Sequence, residues 1–166
     1  MTSHSVSIQQ NLSLQPLSLE LVLEGEMMRL FLVNNSHEEQ TYFYNSQLQP
    51  SKLLIRDDQG NMVEPYDVRS VMKFDTTPYR HFFMMISPQE KILLQSAKIE
   101  KKAEGHHVSW DPFEYELPKN AQFYDLKAEW ISGLDKAYNC ETQQYEDISL
   151  WKGSVISNMI KFSQVE

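Results

Sequence analysis

From Leu12 onward the chain alternates. Leu12 and Leu14 are separated by polar residues, and beyond Pro16 the apolar positions move by one, to Leu17, Leu19, Leu21 and Leu23. Spacing of period two belongs to a strand with one buried face. A one-residue change of phase turns the side chains to the opposite face, and a proline at the change suits a kinked edge strand passing from one sheet to another. Glu24-Gly25-Glu26 predicts a turn. Met27 to Val33 then predicts a second strand, with Met28, Leu30 and Leu32 on one face and Arg29 on the other. Asn34-Asn35-Ser36 ends it.

Short strands are expected at Thr41 to Asn45 and at Lys52 to Arg56, the second closed by the turn signal Asp57-Asp58-Gln59-Gly60. Met62 and Val63 start a return strand. Residues 65–78 predict a long connection, and His81 to Ile86 a compact buried strand. Ser87-Pro88-Gln89-Glu90 fits two structures. One is a helix capping box with proline at the first helical position, followed by Ile92, Leu93, Ser96 and Ile99 at helical spacing. The other, which we prefer, is a turn before a strand from Ile92 to Ile99. Residues 100–109 and 133–147 are polar and predict loops. Between them lies the clearest strand, Phe123 to Ser132, where Tyr124, Leu126, Ala128 and Trp130 alternate with Asp125, Lys127 and Glu129. Ile148 to Phe162 closes the chain. Seven to nine strands at this spacing, with at most one short helix, predict an all-β fold of two stacked antiparallel sheets, an immunoglobulin-like β-sandwich. Residues 11–166 form that single domain, and residues 1–10 a flexible arm.

Composition narrows the function classes. The 166 residues suit one domain with a core large enough to need no metal or disulfide staple. The single cysteine, Cys140, cannot form an internal disulfide, and the polar start of the chain lacks the basic and apolar parts of a signal peptide. A soluble, cytoplasmic protein is expected. No apolar run approaches the roughly 20 residues of a membrane helix, so no membrane association is expected. The net charge of −8 and the interrupted cluster Lys98, Lys101, Lys102 argue against nucleic acid, whose binding needs a basic stripe.

Candidate chemistry is sparse. Among five histidines, His106-His107 is the one adjacent pair. Neighbours in a strand point to opposite faces, so the pair would chelate one ion poorly. Neither a His-Glu-x-x-His motif nor a cysteine pair is present, and no metal or other cofactor is expected. Cys140 lies between Asn139 and Glu141, an acidic setting that disfavours a thiolate nucleophile. No Gly-x-Ser-x-Gly elbow or glycine-rich phosphate loop occurs. The aromatic run Tyr42-Phe43-Tyr44 is either core or an exposed binding strip, and both readings stand at this point. Tyr79, Phe113 and Tyr115 flank prolines and could form a second adhesive surface. Asp135, Glu141, Glu146 and Asp147 are acidic positions able to steer a basic partner.

Several fragments carry a resemblance. Leu30 to Ser36 resembles a strand ending in an Asn-x-Ser turn, and Leu54 to Gly60 the following strand with its Asp-Gly turn. Ile86-Ser87-Pro88-Gln89-Glu90 resembles a leucine-x-proline-glycine-glutamate loop. Gln122 to Leu126 resembles the glycine-x-tyrosine entry of a late strand, and Trp151 to Asn158 a terminal tryptophan-x-glycine…serine-asparagine strand. In this order they are similar to immunoglobulin-like domains of bacterial intracellular proteinase inhibitors and of the pro-domains of deuterolysin-type metallopeptidases. The chain departs from that pattern where Gln89 and Ala121-Gln122 stand in place of glycine. The resemblance implies a non-catalytic module that occupies an enzyme's surface. The expected partner is another protein, such as a basic enzyme or toxin, and the expected role is that of an inhibitor or immunity protein. The alternatives are a chaperone-like or structural subunit of a bacterial secretion or envelope assembly, and an enzyme with an unrecognised site. The sequence leaves the oligomeric state open.

Overall fold

The computed structural model describes residues 15–45, 49–68, 77–148 and 150–164. The proposed arm, the Leu12–Leu14 alternation and residues 69–76 of the long connection lie outside the described residues. Strands β1 (Leu17–Glu24) and β2 (Met27–Asn34) form a hairpin and are followed by β3 (Gln40–Tyr42), β4 (Ser51–Asp57), β5 (Met62–Val63) and β6 (Asp67–Val68). A 3-10 turn, Arg80–Phe82, precedes β7 (Met84–Ile86), β8 (Lys91–Lys102), β9 (Gly105–Trp110) and β10 (Phe113–Pro118). The chain then builds β11 (Phe123–Ser132), β12 (Lys136–Asn139), β13 (Gln144–Asp147), β14 (Gly153–Ile156) and β15 (Ile160–Ser163).

An all-β sandwich-like fold results. One sheet has the order β1-β2-β8-β9-β10-β6; the other has the order β14-β11-β4-β5, with β15 also pairing β11. Two ribbons stand apart, β3-β7 and β12-β13. The described strands pair antiparallel throughout. The fifteen segments among the described residues exceed the seven to nine expected because edges are broken into short pieces. β14 and β15 lie along the same side of β11, interrupted where Ser157 donates its backbone N–H to the Ala128 carbonyl and accepts the Ala128 N–H on Oγ. Among the described residues no helix is long and apolar enough to cross a membrane.

Alternation in the sequence becomes burial. Leu17, Leu19 and Leu21 of β1 and Met28, Leu30 and Leu32 of β2 face inward, opposite Tyr124, Leu126, Ala128 and Trp130 of β11. Burying each such side chain fully contributes about 1.5–3 kcal/mol. At 87–102 the strand forms. Gln89 sits at φ 65, outside the helical region, and Glu90 donates its backbone N–H to the Ser87 carbonyl to close a turn. β8 carries a bulge, Leu94, where its register with β2 shifts.

Three expected segments are corrected. Residues 100–109 are not a loop: β8 and β9 run to a tight hairpin at Gly105, whose φ of +134 favours glycine and where an added Cβ would run into the Leu117 carbonyl oxygen. Residues 133–147 are not a loop either, because β12 and β13 pair through them. The expected buried strand 81–86 begins with the 3-10 turn, and Met84 and Met85 are exposed; only Ile86 of that strand reaches the core. The Asp57 turn forms as expected. Its carboxyl accepts the Asn61 and Gln59 backbone N–H groups, the Asn61 bond most strongly, and these hold it below the usual carboxylate range.

Candidate functional site

The two ribbons and the 3-10 turn build one end of the molecule. Buried Gln49 ties this end to the core. Its Nε2 donates to the Phe43 carbonyl at 2.9 Å, and its Oε1 accepts the backbone N–H groups of Gly133 and Leu134, at the entry to β12. Its own carbonyl accepts Trp130 Nε1–H at 3.1 Å. Phe83, just beyond the turn, packs on buried Phe43 with ring centroids 4.8 Å apart. Tyr138 donates its backbone N–H to the Pro78 carbonyl, fixing β12 beside the segment that enters the turn.

On this base the aromatic rings form a continuous row. His81 lies 4.2 Å from Phe82 and 5.5 Å from Tyr79; Tyr79 lies 5.8 Å from Tyr138, and Tyr138 5.2 Å from Tyr145, centroid to centroid. Phe82 and Tyr145 are 52% and 58% exposed, so both ends of the row are open to a partner. Met84 and Met85 extend the apolar surface along β7. Across the row, Arg80 Nη1 donates to Glu146 Oε2 at 2.9 Å, and Asn139 Nδ2 donates to Glu146 Oε1. The turn and the hairpin are thus joined by both stacking and charge.

The anticipated site residues divide. Tyr79, Glu141, Glu146, Asp135 and Asp147 meet at this end. Tyr42 and Tyr115 do not: they are 3% and 0% exposed and belong to the core, so they present no contact surface. Burial, and secondarily the Glu90 charge, raises the Tyr42 phenol above its ordinary value. Tyr44 is half-buried and bonded to Ser51 Oγ and Gln95 Oε1, and burial raises its phenol as well. Phe113 is half-buried in β10 against Tyr115, on a different part of the molecule. Three of the four acidic positions have cations beside them. Glu146 is paired with Arg80, Asp135 lies 3.8 Å from Lys152, and Asp147 stands opposite Lys136 across the ribbon. Glu141 forms no ion pair among the described residues, although it lines one concavity with Arg80. Phe82, Tyr138 and Tyr145 join this end without being expected there from the sequence. The available signal was Asn139, whose Oδ1 accepts the Glu141 and Thr142 backbone N–H groups in a turn set between two tyrosines.

No family model, curated protein or solved structure matches this chain.

Two constellations, one at this end and one on the first sheet, invite a catalytic reading. Cys140, His81 and Glu141 line one concavity of about 450 Å³, but no hydrogen bond joins the thiol to the imidazole among the described residues, which a Cys–His nucleophile pair requires. On the outer face of β9 and β10, Ser109 Oγ donates to the buried Glu114 carboxylate, His107 Nε2 lies 2.9 Å from Glu114 Oε2, and Tyr66 Oη lies 3.0 Å from His107 Nε2. Here the carboxylate separates the hydroxyl from the imidazole, so the histidine is not placed to take the serine proton. The cluster instead satisfies a buried acid and fastens Tyr66 over the sheet. His106 points the other way, its Nδ1 2.7 Å from Gln164 Oε1 and its ring edge-on to Phe162, so the adjacent histidines do face opposite sides.

Proposed function

We propose that this protein is a non-catalytic binding module that neutralises an enzyme or toxin by covering part of its surface, with the Phe82–Tyr145 aromatic row as its contact face. The observation that carries the reading is that row: rigid rings, open at both ends, on two segments pinned to each other and to the core. Rigid aromatic side chains lose little entropy on binding and dominate interface energetics. With charges on this face largely balanced, apolar contact supplies the affinity. The overall charge of −8 supports long-range steering of a basic partner. The exposed, unpaired Cys140 supports a reducing, cytoplasmic setting. The sandwich-like fold accords with the resemblance to proteinase-inhibitor domains, which supports the inhibitor role over an unrelated one.

Assembly through a sheet edge is the less favoured reading, because the longest edge strand is partly closed. Asn158 Oδ1 accepts the Leu21 backbone N–H and Asn158 Nδ2 donates to the Leu21 carbonyl, both at 2.9 Å, so a side chain occupies groups that a partner strand would use.

The test compares the wild-type protein with the Phe82→Ala/Tyr145→Ala double variant as baits in a lysate of the native organism. The partner so found is then purified and titrated against each. The expected result is one protein retained by the wild type, with affinity for the variant lower by about 2 kcal/mol or more, roughly 30-fold. Equal affinity of both baits, or no protein held by either, would overturn the proposal.

A further inference from the structure

One side of the sandwich stands open between its two sheets. β1 ends the first sheet and β14 ends the second, with no strand beyond either among the described residues. The two strands run the same way. Leu17 and Ser18 share a groove with Ser154, Val155 and Ile156, and further along both strands Leu21 bonds the Asn158 side chain. The groove has a volume of about 640 Å³. Its core side is apolar, with Leu17 and Val155 only 0% and 4% exposed. Backbone groups alternate from side to side along a strand. Ser157 gives its N–H to the Ala128 carbonyl of β11, so Ser154 and Ile156 turn their backbone groups away from β11, toward the open side.

The described chain begins in this groove: Gln15, its first residue, stands in the wall. Pro16 still belongs to the first sheet, where its carbonyl accepts the Asn35 N–H at 2.7 Å. Residues 1–14 precede it, and at about 3.3 Å per extended residue they can easily run the length of four-residue β14. Their apolar members are Val6, Ile8, Leu12 and Leu14, all on even positions, set between Ser5, Ser7, Asn11 and Ser13. In β1 the odd positions Leu17, Leu19 and Leu21 are the buried ones. That change of parity has a geometric cause. The inner faces of stacked sheets point at each other. A chain that passes from one edge to the facing edge without reversing must therefore turn its other set of side chains inward. Leu12 and Leu14 have the parity that the second sheet requires.

The geometry points to residues 11–14 as the occupant of the groove, added to the open edge of β14 as a parallel strand of the same molecule. Leu12 and Leu14 turn into the groove, against Val155 and Leu17, and Asn11 and Ser13 turn to solvent. Ser154 and Ile156 gain backbone partners. The added strand completes the closure that Asn158 begins at Leu21, and it withholds the β14 edge from a strand of another molecule.

The test uses the isotope-labelled full chain and two variants of equal added charge, Leu12→Asp/Leu14→Asp and Asn11→Asp/Ser13→Asp. In the wild type, nuclear Overhauser contacts are expected between the methyl groups of Leu14 and Val155. Mixing labelled with unlabelled protein shows whether they arise within one molecule, as expected. The Ser154 and Ile156 amides should exchange at least about tenfold faster in the first variant and at the wild-type rate in the second. Three results would each overturn the inference: no Leu14–Val155 contact, equal exchange in the two variants, or contacts arising only between molecules, which would make a second copy the occupant. The Overhauser contact is read in the wild type, so it decides the matter even where a variant unfolds. No residue of the aromatic row lines this groove, so these readouts stand or fall apart from partner binding.

Discussion

Tyrosines do opposite work in two regions of this molecule. In the sandwich, Tyr115 and Tyr124 are buried to 0% and 1% exposure, and each hydroxyl donates to a backbone carbonyl, Leu53 at 3.1 Å and Pro118 at 2.6 Å. At the aromatic end, Tyr138 and Tyr145 lie on a two-stranded ribbon, pack mainly on other rings, and leave one face to the surroundings. The residue type is shared, but the surroundings decide its use. A tyrosine whose hydroxyl closes a backbone bond inside two sheets holds the fold together. One stacked on a pinned ribbon is held rigid for contact with something else.

The sharpest way to break this contrast is to truncate one tyrosine from each region. Tyr115→Ala should cost about 3–5 kcal/mol in urea unfolding, as for other large aromatic side chains removed from a packed core. Tyr145→Ala should stay within about 0.5 kcal/mol of the wild type. Comparable losses from the two would mean that the aromatic end is part of the core rather than a platform built on it. Gln49→Ala attacks the joint between the regions. It removes the acceptor of two backbone N–H groups and a donor to the Phe43 carbonyl, at a site 7% exposed. A loss of about 2–3 kcal/mol is expected, from buried backbone groups left unpaired. Amide exchange should rise first at Gly133 and Leu134, and uniform exchange across the molecule would contradict the role of Gln49 as a local tie.

Alkaline pH separates the two regions more gently. Burial raises the Tyr115 phenol and pushes that of Tyr124 up to about 12, with the charges of Asp57 and Asp58 adding to the second. An unfolded tyrosine releases its proton near pH 10. The native state therefore keeps protons that the unfolded chain gives up. The stability this contributes is complete below about pH 10 and is lost as the pH rises toward 12. Tyr124→Phe should flatten the fall in urea midpoint over that window. An unchanged slope would show that Tyr124 ionises as readily in the fold as out of it.

How far each region was legible follows from the same contrast. The sandwich strands announced themselves because one face is buried: the Tyr124–Trp130 alternation gives the inward face of β11, and its observed bounds, Phe123–Ser132, match the expected strand. The aromatic end has no such pattern. β12 and β13 are four residues each, and only Ala137 among them is buried, so period-two hydrophobicity had nothing to mark. Tyr42 and Tyr115 misled for the complementary reason. Their aromaticity fits a core and an interface equally, and only the long-range contacts with Met84 and with the Leu53 carbonyl settle which. Alternation puts Asp125 on the outward face of β11, yet the burial of its unpartnered oxygen depends on how side chains of neighbouring strands turn, which no one-dimensional pattern records.

The smallest expected effect concerns the Arg80–Glu146 bridge, which joins the 3-10 turn to the hairpin by charge. Its side chains are 62% and 36% exposed, and pairs of that kind contribute at most about 1 kcal/mol to stability. Arg80→Ala should therefore leave the unfolding midpoint nearly unchanged. Its consequence should be local. Tyr79 and Tyr138 lie edge to face across the junction, so loosening the turn alters the ring-current shifts of both while those of Tyr115 and Tyr124 stay fixed. High salt should reproduce the change in the wild-type protein, because at 1 M an exposed pair is screened within about 3 Å. If neither variant nor salt moves the Tyr79 and Tyr138 resonances, stacking and the Tyr138–Pro78 backbone bond suffice to hold the row. The bridge then contributes to which partners are accepted rather than to the shape presented to them.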